Sequence, residues 1–168
     1  MIRYAFYFLA ACVAVILEVT WLERLSVGAP VDPLLVLVIV VGLLHGAEEG
    51  ALVGAGCGLL QDVMTGVPLG LGMLGGLGVG FCAGLAERSI YLENVWLPPL
   101  AAVTLTLLWH ALWVGAAALV GWVHASVFEV ARTAALGACY NGSIAVPIFH
   151  GLRRLDGALV RLYERPRS

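Results

Sequence analysis

The sequence predicts an all-α integral membrane protein, a bundle of about six transmembrane helices with two short, glycine-ridged helices at its centre. Hydrophobic residues make up 61% of the chain, charged residues only 12%, and the mean hydropathy is +0.98. Apolar runs of about 18 residues, the length that crosses a bilayer, recur along the chain. Glycines recur every fourth residue in two consecutive segments. This composition excludes a soluble domain.

The first apolar segment runs from Tyr4 to Leu22, between Arg3 and Glu23-Arg24, and is long enough to cross a bilayer. Leu9-Ala10-Ala11-Cys12 has the form of a bacterial lipoprotein cleavage box. The apolar stretch before it is short, and the run continues unbroken afterwards. We therefore interpret this segment as an ordinary first helix.

Asp32 followed by Pro33 predicts the start of helix two, because Asp is a good helix cap and proline fits the first helical position. One helix continuing to Leu60 would place Glu48 and Glu49 near mid-membrane, at about 2.5–3.5 kcal/mol each. The sequence therefore predicts a turn at residues 45–49. It separates helix two, at 33–46, from helix three, at 48–63.

Helices three and four, the latter predicted at 69–86, carry matching glycine ridges. Small residues at four-residue spacing stay near one face and allow two membrane helices to approach closely. The ridges either pack within this bundle or dock a transmembrane helix of a partner. Their members are Gly46, Gly50, Gly54 and Gly58 before the turn, and Gly72, Gly76, Gly80 and Gly84 after it.

Gln61 and Asp62 lie between the two ridges, ahead of a turn that contains Gly66, Pro68 and Gly70. The predicted product is a tight hairpin with Asp62 at its tip. A carboxylate near membrane depth is costly unless it has a role, so Asp62 is a functional candidate. It either caps the end of helix three or the start of helix four through backbone amides, or contacts a partner or lipid.

Pro98-Pro99 marks the entrance of helix five, which is predicted to reach about Val123. Helix six is predicted from about Val127 to Phe149, loosened in its second half by glycines, Asn141 and Pro147. Residues 1–150 would then form the transmembrane domain and residues 151–168 a basic cytoplasmic tail. The tail arginines, expected to contact lipid or a cytoplasmic partner, are Arg153, Arg154, Arg161, Arg165 and Arg167.

The positive charges predict the orientation. With six helices and both termini in the cytoplasm, Arg3, Arg88 and the tail lie inside, and only Arg24 and Arg132 lie outside. The Asp62 turn then lies on the outer face of the membrane, and the Glu48-Glu49 turn on the inner face.

The sequence contains few residues or motifs typical of catalysis, metal binding or cofactor binding. The four cysteines are scattered one to a helix, without the paired spacing of a zinc or redox site, which indicates small apolar packing residues. No nucleophile elbow, phosphate loop or paired-histidine motif is present. His110 follows Thr106 by one turn, which favours a hydrogen-bonded histidine inside the bundle. We therefore expect no catalytic residues, metal, cofactor, enzyme activity or nucleic-acid partner.

The stretch from Asp32-Pro33 through Gly42-Leu-Leu-His-Gly46 to Leu60-Gln61-Asp62 and Gly66-x-x-x-Gly70 resembles the rod shape-determining membrane protein family MreD. The resemblance is densest between Pro33 and Gly84. It implies a non-enzymatic scaffold in the bacterial inner membrane that supports rod shape and lateral peptidoglycan synthesis. Its implied partners are MreC first, then RodA, a class B penicillin-binding protein and MreB, together with membrane lipid.

The same family is similar in fold to the substrate-binding S components of energy-coupling factor vitamin transporters, which is the alternative. S components dock through an Ala-xxx-Ala ridge on the first helix, whereas here Ala10 and Ala14 make one step and Glu18 interrupts the next. A vitamin site would also need several converging polar groups. The mid-membrane candidates are Trp109, His110, Trp113, Tyr140 and Asn141.

Overall fold

A computed structural model describes residues 2–17, 31–66, 69–87, 96–119 and 126–163. Every regular element in these ranges is an α-helix, which confirms the all-α prediction for this part of the chain. The six helices are α1 Ile2–Leu17, α2 Pro33–His45, α3 Ala47–Thr65, α4 Leu71–Glu87, α5 Leu97–Leu119 and α6 Val127–Tyr163.

Helix α2 is the centre of the bundle. Its residues from Pro33 to Leu43 are all buried, and it packs against all five other helices. Its sequence is apolar on every side, as expected for a helix surrounded by others. The predicted start is confirmed: Asp32 Oδ1 accepts a hydrogen bond of 2.7 Å from the Leu35 amide, and Pro33 follows the cap.

The turn predicted at residues 45–49 is reduced to Gly46 alone. This residue has φ of 88°, which favours glycine, and it ends α2 and begins α3. Glu48 and Glu49 therefore lie in the first turn of α3, where the helix dipole favours carboxylates. The two helices are separate, as the cost of mid-membrane charge predicts.

The predicted end of helix six near Phe149 is wrong, because α6 continues to Tyr163. The added turns are held by tertiary contacts that the local sequence does not reveal. Leu152 is buried, and Asp156 Oδ2 lies 3.0 Å from His45 Nε2 at the end of α2. The Tyr7 hydroxyl of α1 lies 3.1 Å from the same nitrogen. These contacts join three helices at one end of the bundle.

Some predicted features lie outside the described residues. They include the ends of helix one and helix five, Arg24, Arg88 and Pro68 of the hairpin turn, and Arg165 and Arg167 of the tail. Arg153 and Arg154 lie exposed on α6, and Arg161 belongs to its last turns.

One segment in the described residues, Leu97–Gly115 of α5, has both the length and the hydropathy of a membrane span. Three further helical segments are apolar but shorter: Phe6–Ile16, Pro33–His45 and Leu71–Ala86. The prediction of about six helices, two of them short, is therefore met in helix number among these residues, and one of the six has both the length and the hydropathy of a membrane span.

Candidate functional site

Helices α3 and α4 form an antiparallel hairpin whose two glycine ridges face each other. A Cβ atom added to Gly50, Gly54 or Gly58 would overlap the carbonyl oxygen of Gly80, Gly76 or Gly72, respectively. At the other end of the hairpin, Gly84 lies against the backbone of Gly46 and Ala47. The backbones touch along the whole length of the hairpin, so these ridges are filled and present no open face to a partner helix.

Helix α2 packs behind this contact. A Cβ atom on Gly42 would lie 2.7 Å from the Gly80 carbonyl oxygen and 2.8 Å from Cβ of Ala83. Val38 Cγ1 would lie 3.0 Å from a Cβ at Gly54 and 3.1 Å from one at Gly80. Three helices therefore share one seam in which only hydrogen fits at the glycine positions.

Asp62 is 2% exposed and caps the start of α4. Its Oδ1 accepts a hydrogen bond of 2.7 Å from the Gly72 amide, and its Oδ2 accepts bonds of 2.8 Å from Gly70 and 3.2 Å from Met73. The first amides of a helix have no partner within it, and a carboxylate at this end also interacts favourably with the helix dipole. Of the roles predicted for Asp62, this geometry corresponds to capping of helix four.

The backbone of the turn also requires glycine. Gly66 has φ of 69° and ends α3, and its amide bonds to the Asp62 carbonyl oxygen at 3.1 Å. Gly70 has φ of 110° and directly precedes α4. Side chains rarely adopt such angles, so both positions favour glycine independently of the space around them.

A second polar site, here called the polar cluster, consists of Asp32, Gln61, Thr106 and Asn141. Asn141 Oδ1 accepts a bond of 2.9 Å from the Asp32 amide, and its Nδ2 donates to Thr106 Oγ1 at 3.1 Å. Gln61 Nε2 donates to Asp32 Oδ2 at 3.2 Å. Asp32, Thr106 and Asn141 are each at most 8% exposed. The cluster connects the start of α2 with α3, α5 and α6, and hydrogen bonds compensate its burial.

We expect Asn141→Leu to lower the free energy of unfolding by about 2–4 kcal/mol, because it leaves the Asp32 amide and the Thr106 hydroxyl buried without this partner. Ser143→Ala is the matched control on the same helix. Ser143 is exposed and its hydroxyl bonds only to the Cys139 carbonyl oxygen among the bonds described. Unfolding in mixed micelles, followed by circular dichroism, measures both. Equal stability of the two variants would remove the structural role of the cluster.

The other mid-membrane candidates do not converge on one polar pocket. His110 Nδ1 donates to the Thr106 carbonyl oxygen at 2.9 Å, which confirms a hydrogen-bonded histidine. Trp109 and Trp113 line an apolar groove of about 220 Å³ with Leu71, Leu74, Gly75 and Leu112. Asn141 points into the polar cluster instead. Tyr140 is half-buried.

The cysteines differ in their surroundings. Cys57 is buried, Cys12 and Cys82 are half-buried, and Cys139 is exposed. The expectation that all four are packing residues is therefore wrong for Cys139.

The sequence does not predict the polar cluster as a unit. The pattern indicates Asp32 as a helix cap and Gln61 as a residue beside the turn. It indicates Asn141 as a residue that loosens helix six and as a candidate pocket residue, and Thr106 only as a neighbour of His110. The available signal was the presence of Thr106 and Asn141 within otherwise apolar helices, since polar groups at such positions usually find partners on neighbouring helices. The pairing itself depends on how the helices are arranged.

Comparison with known proteins identifies the family. The sequence model described as rod shape-determining protein MreD matches residues 2–155. Neither the curated proteins nor the solved structures gave a significant match. The match covers the glycine hairpin, the polar cluster and most of the six helices. The chain belongs to the MreD family of rod shape-determining proteins.

Proposed function

We propose that this protein is a non-enzymatic scaffold of the bacterial inner membrane that binds MreC and supports lateral peptidoglycan synthesis during cell elongation. Membership of a rod shape-determining family supports the general role. The observation that carries the proposal is that the buried polar side chains of the described residues are used within the bundle: Asp62 and the polar cluster hold helices together. What the bundle offers outward is packing surface.

The proposed partner surface is the outward face of α3. This helix packs on α4 and α2 and only weakly on α1, so it lies at the edge of the bundle. Its outward residues are Leu52, Gly56, Leu59 and Val63; the three large side chains among them are 63%, 43% and 64% exposed. A Cβ on Gly56 would meet nothing within 4 Å. A smooth apolar strip of this kind suits the transmembrane helix of a single-pass partner such as MreC.

The membrane placement is part of the proposal. Leu97–Gly115 of α5 has the length and hydropathy of a span, and the shorter apolar helices pack around it and around α2. Both termini lie in the cytoplasm, where the exposed Arg153 and Arg154 of α6 meet anionic lipid or a cytoplasmic partner such as MreB. RodA and a class B penicillin-binding protein belong to the wider complex.

Partner capture tests the proposal. The tagged protein, purified from its native membrane in mild detergent, should bring down MreC with cell-wall synthases, identified by mass spectrometry. Gly56→Trp should reduce recovery of MreC about ten-fold or more, because the indole fills the strip without meeting its own bundle. Gly115→Trp is the matched control, since Gly115 is equally open but lies on α5.

Two results would contradict the proposal. Unchanged recovery of MreC with Gly56→Trp would exclude the α3 surface. Recovery of ATPases with a membrane coupling subunit, in place of MreC, would replace the scaffold by the S-component alternative.

A further inference from the structure

The helices of the α3–α4 hairpin are shorter than a bilayer core is thick. The apolar part of α4, Leu71–Ala86, extends about 24 Å, and the outward face of α3 between Glu48 and Thr65 is similar. A typical hydrocarbon core is about 30 Å thick. In contrast, α5 runs from Leu97 to Leu119, about 35 Å.

Contacts between helices fix where the shorter ones stop. Gly75 of α4 lies against the Trp109 ring of α5. Beyond this contact α4 extends only to Leu71, about 6 Å, whereas α5 continues to Leu119, about 15 Å. The hairpin therefore ends about 9 Å below the end of α5.

The polar cluster shows that α2 also stops short of the end of a neighbouring helix, in this case α6. The start of α2 lies level with Asn141, because the Asp32 amide bonds to that side chain. From Asn141, α6 extends back to Val127, about 21 Å beyond the start of α2. The outer halves of α5 and α6 thus stand above α2 and the hairpin.

The tip of the hairpin cannot lie in hydrocarbon. Gly66 is exposed and non-helical, and lipid-exposed irregular backbone is not tolerated within a bilayer core. Exposed apolar side chains begin directly beside it, with Val63 and Met64 on α3 and Leu69 before α4 at 61–70% exposure. Tilting the hairpin would shorten its reach across the bilayer further. The hydrocarbon core therefore has to become thinner around the hairpin to match its length.

Resting on the proposed membrane placement, we propose that the α3–α4 hairpin thins the outer leaflet locally. Headgroups and water descend to the hairpin tip, while α5 and α6 cross a core of ordinary thickness on the other side of the bundle. The lipid bilayer is the partner at the hairpin tip and along the exposed apolar side chains of α4, whereas the outward face of α3 is the surface proposed for the partner helix. The protein thereby creates a step in membrane thickness beside the site proposed for partner binding.

Cysteine labelling in vesicles tests the step. In a background with all four cysteines replaced by alanine, one cysteine is placed at Leu69 or at Gly115. Both positions lie the same number of residues beyond the Gly75–Trp109 contact, and both are exposed. The proteins are reconstituted in phosphatidylcholine with 18-carbon monounsaturated chains. A membrane-impermeant maleimide is supplied to both sides, and rates are normalised to those in detergent.

We expect Leu69→Cys to react about ten-fold or more faster than Gly115→Cys, since only the tip reaches the water interface. Slow reaction at both positions would show a tip covered by lipid and would overturn the proposal. Fast reaction at both would show water at the same height on either side, and would also overturn it.

Two further measurements keep the result interpretable. Flotation of the same samples with vesicles tests membrane insertion, so a failure of the proposed membrane placement is distinguishable from absence of the step. Hydrogen exchange of the unmodified protein in vesicles should be faster at Thr65 and Gly66 than at residues 112–118 of α5. Equal protection would overturn the proposal even if the cysteine variants do not fold.

Discussion

Replacing Gly76 by leucine should disrupt the α3–α4 hairpin, whereas the same replacement at Gly78, two residues along α4, should leave the fold intact. A Cβ at Gly76 would overlap the Gly54 carbonyl group, which is backbone and cannot rotate away. A Cβ at Gly78 would meet nothing within 4 Å. We expect Gly76→Leu to lower the free energy of unfolding by about 3 kcal/mol or more. Gly78→Leu should change it little, or raise it by up to about 1 kcal/mol through helix propensity.

Alanine makes the same test sharper, because it adds only the Cβ atom. Alanine is the better helix former by about 1 kcal/mol, so a loss of stability in Gly76→Ala has to come from the contact between the helices. Unfolding by dodecyl sulfate in mixed micelles compares Gly76→Ala with Gly78→Ala. Equal unfolding midpoints for the two variants would mean that the glycine ridges do not touch. The described pairing of α3 with α4 would then be wrong.

Removing the Asp62 carboxylate should have the second largest effect. Asp62→Ala leaves the amides of Gly70, Gly72 and Met73 without their acceptor, and we expect a loss of about 3 kcal/mol or more. Asp62→Asn retains one oxygen acceptor but turns its amide N–H donors towards backbone donors. We therefore expect it to lower the free energy of unfolding by about 1.5–3 kcal/mol. Glu48 is an exposed carboxylate in the first turn of α3. Glu48→Gln should therefore change the free energy of unfolding by no more than about 0.5 kcal/mol.

Hydrogen exchange at the Gly72 amide tests whether the loss of stability comes from the lost cap of α4. This amide should lose its protection in Asp62→Ala and keep it in Glu48→Gln. An Asp62→Ala protein as stable as Glu48→Gln would contradict the capping role. A folded Asp62→Asn protein that no longer captures MreC would instead assign the carboxylate to a partner contact.

Local rules predicted the features of this chain that depend on neighbouring residues. Asp32-Pro33 predicted the start of α2, because both the cap and the proline act within one helical turn. The cost of mid-membrane carboxylates at Glu48 and Glu49 predicted the separation of α2 from α3. The four-residue glycine spacing predicted helices able to approach closely, although it left open whether the second helix belonged to this chain.

Local rules do not predict the end of α6 or the polar cluster, because both depend on contacts between helices distant in sequence. Pro147 and Asn141 disfavour a helix locally, yet burial of Leu152 and the contact of Asp156 with His45 stabilise the turns beyond Phe149. Asn141 also finds its partners on α5 and before α2, more than thirty residues away in each case. Such pairings depend on the spatial order of the helices, on which the periodicity of a single helix carries no information.

By itself, the sequence determined a helical, strongly apolar chain, the capped start of α2, and a glycine-rich hairpin with a carboxylate near its tip. Those properties follow from composition, spacing and capping, which act over a few residues. Only the tertiary structure decided that the glycine ridges face each other, that Asp62 serves α4, and that the hairpin stops below α5. Each of those depends on the relative height and order of helices distant in sequence, which packing and buried hydrogen bonds set together.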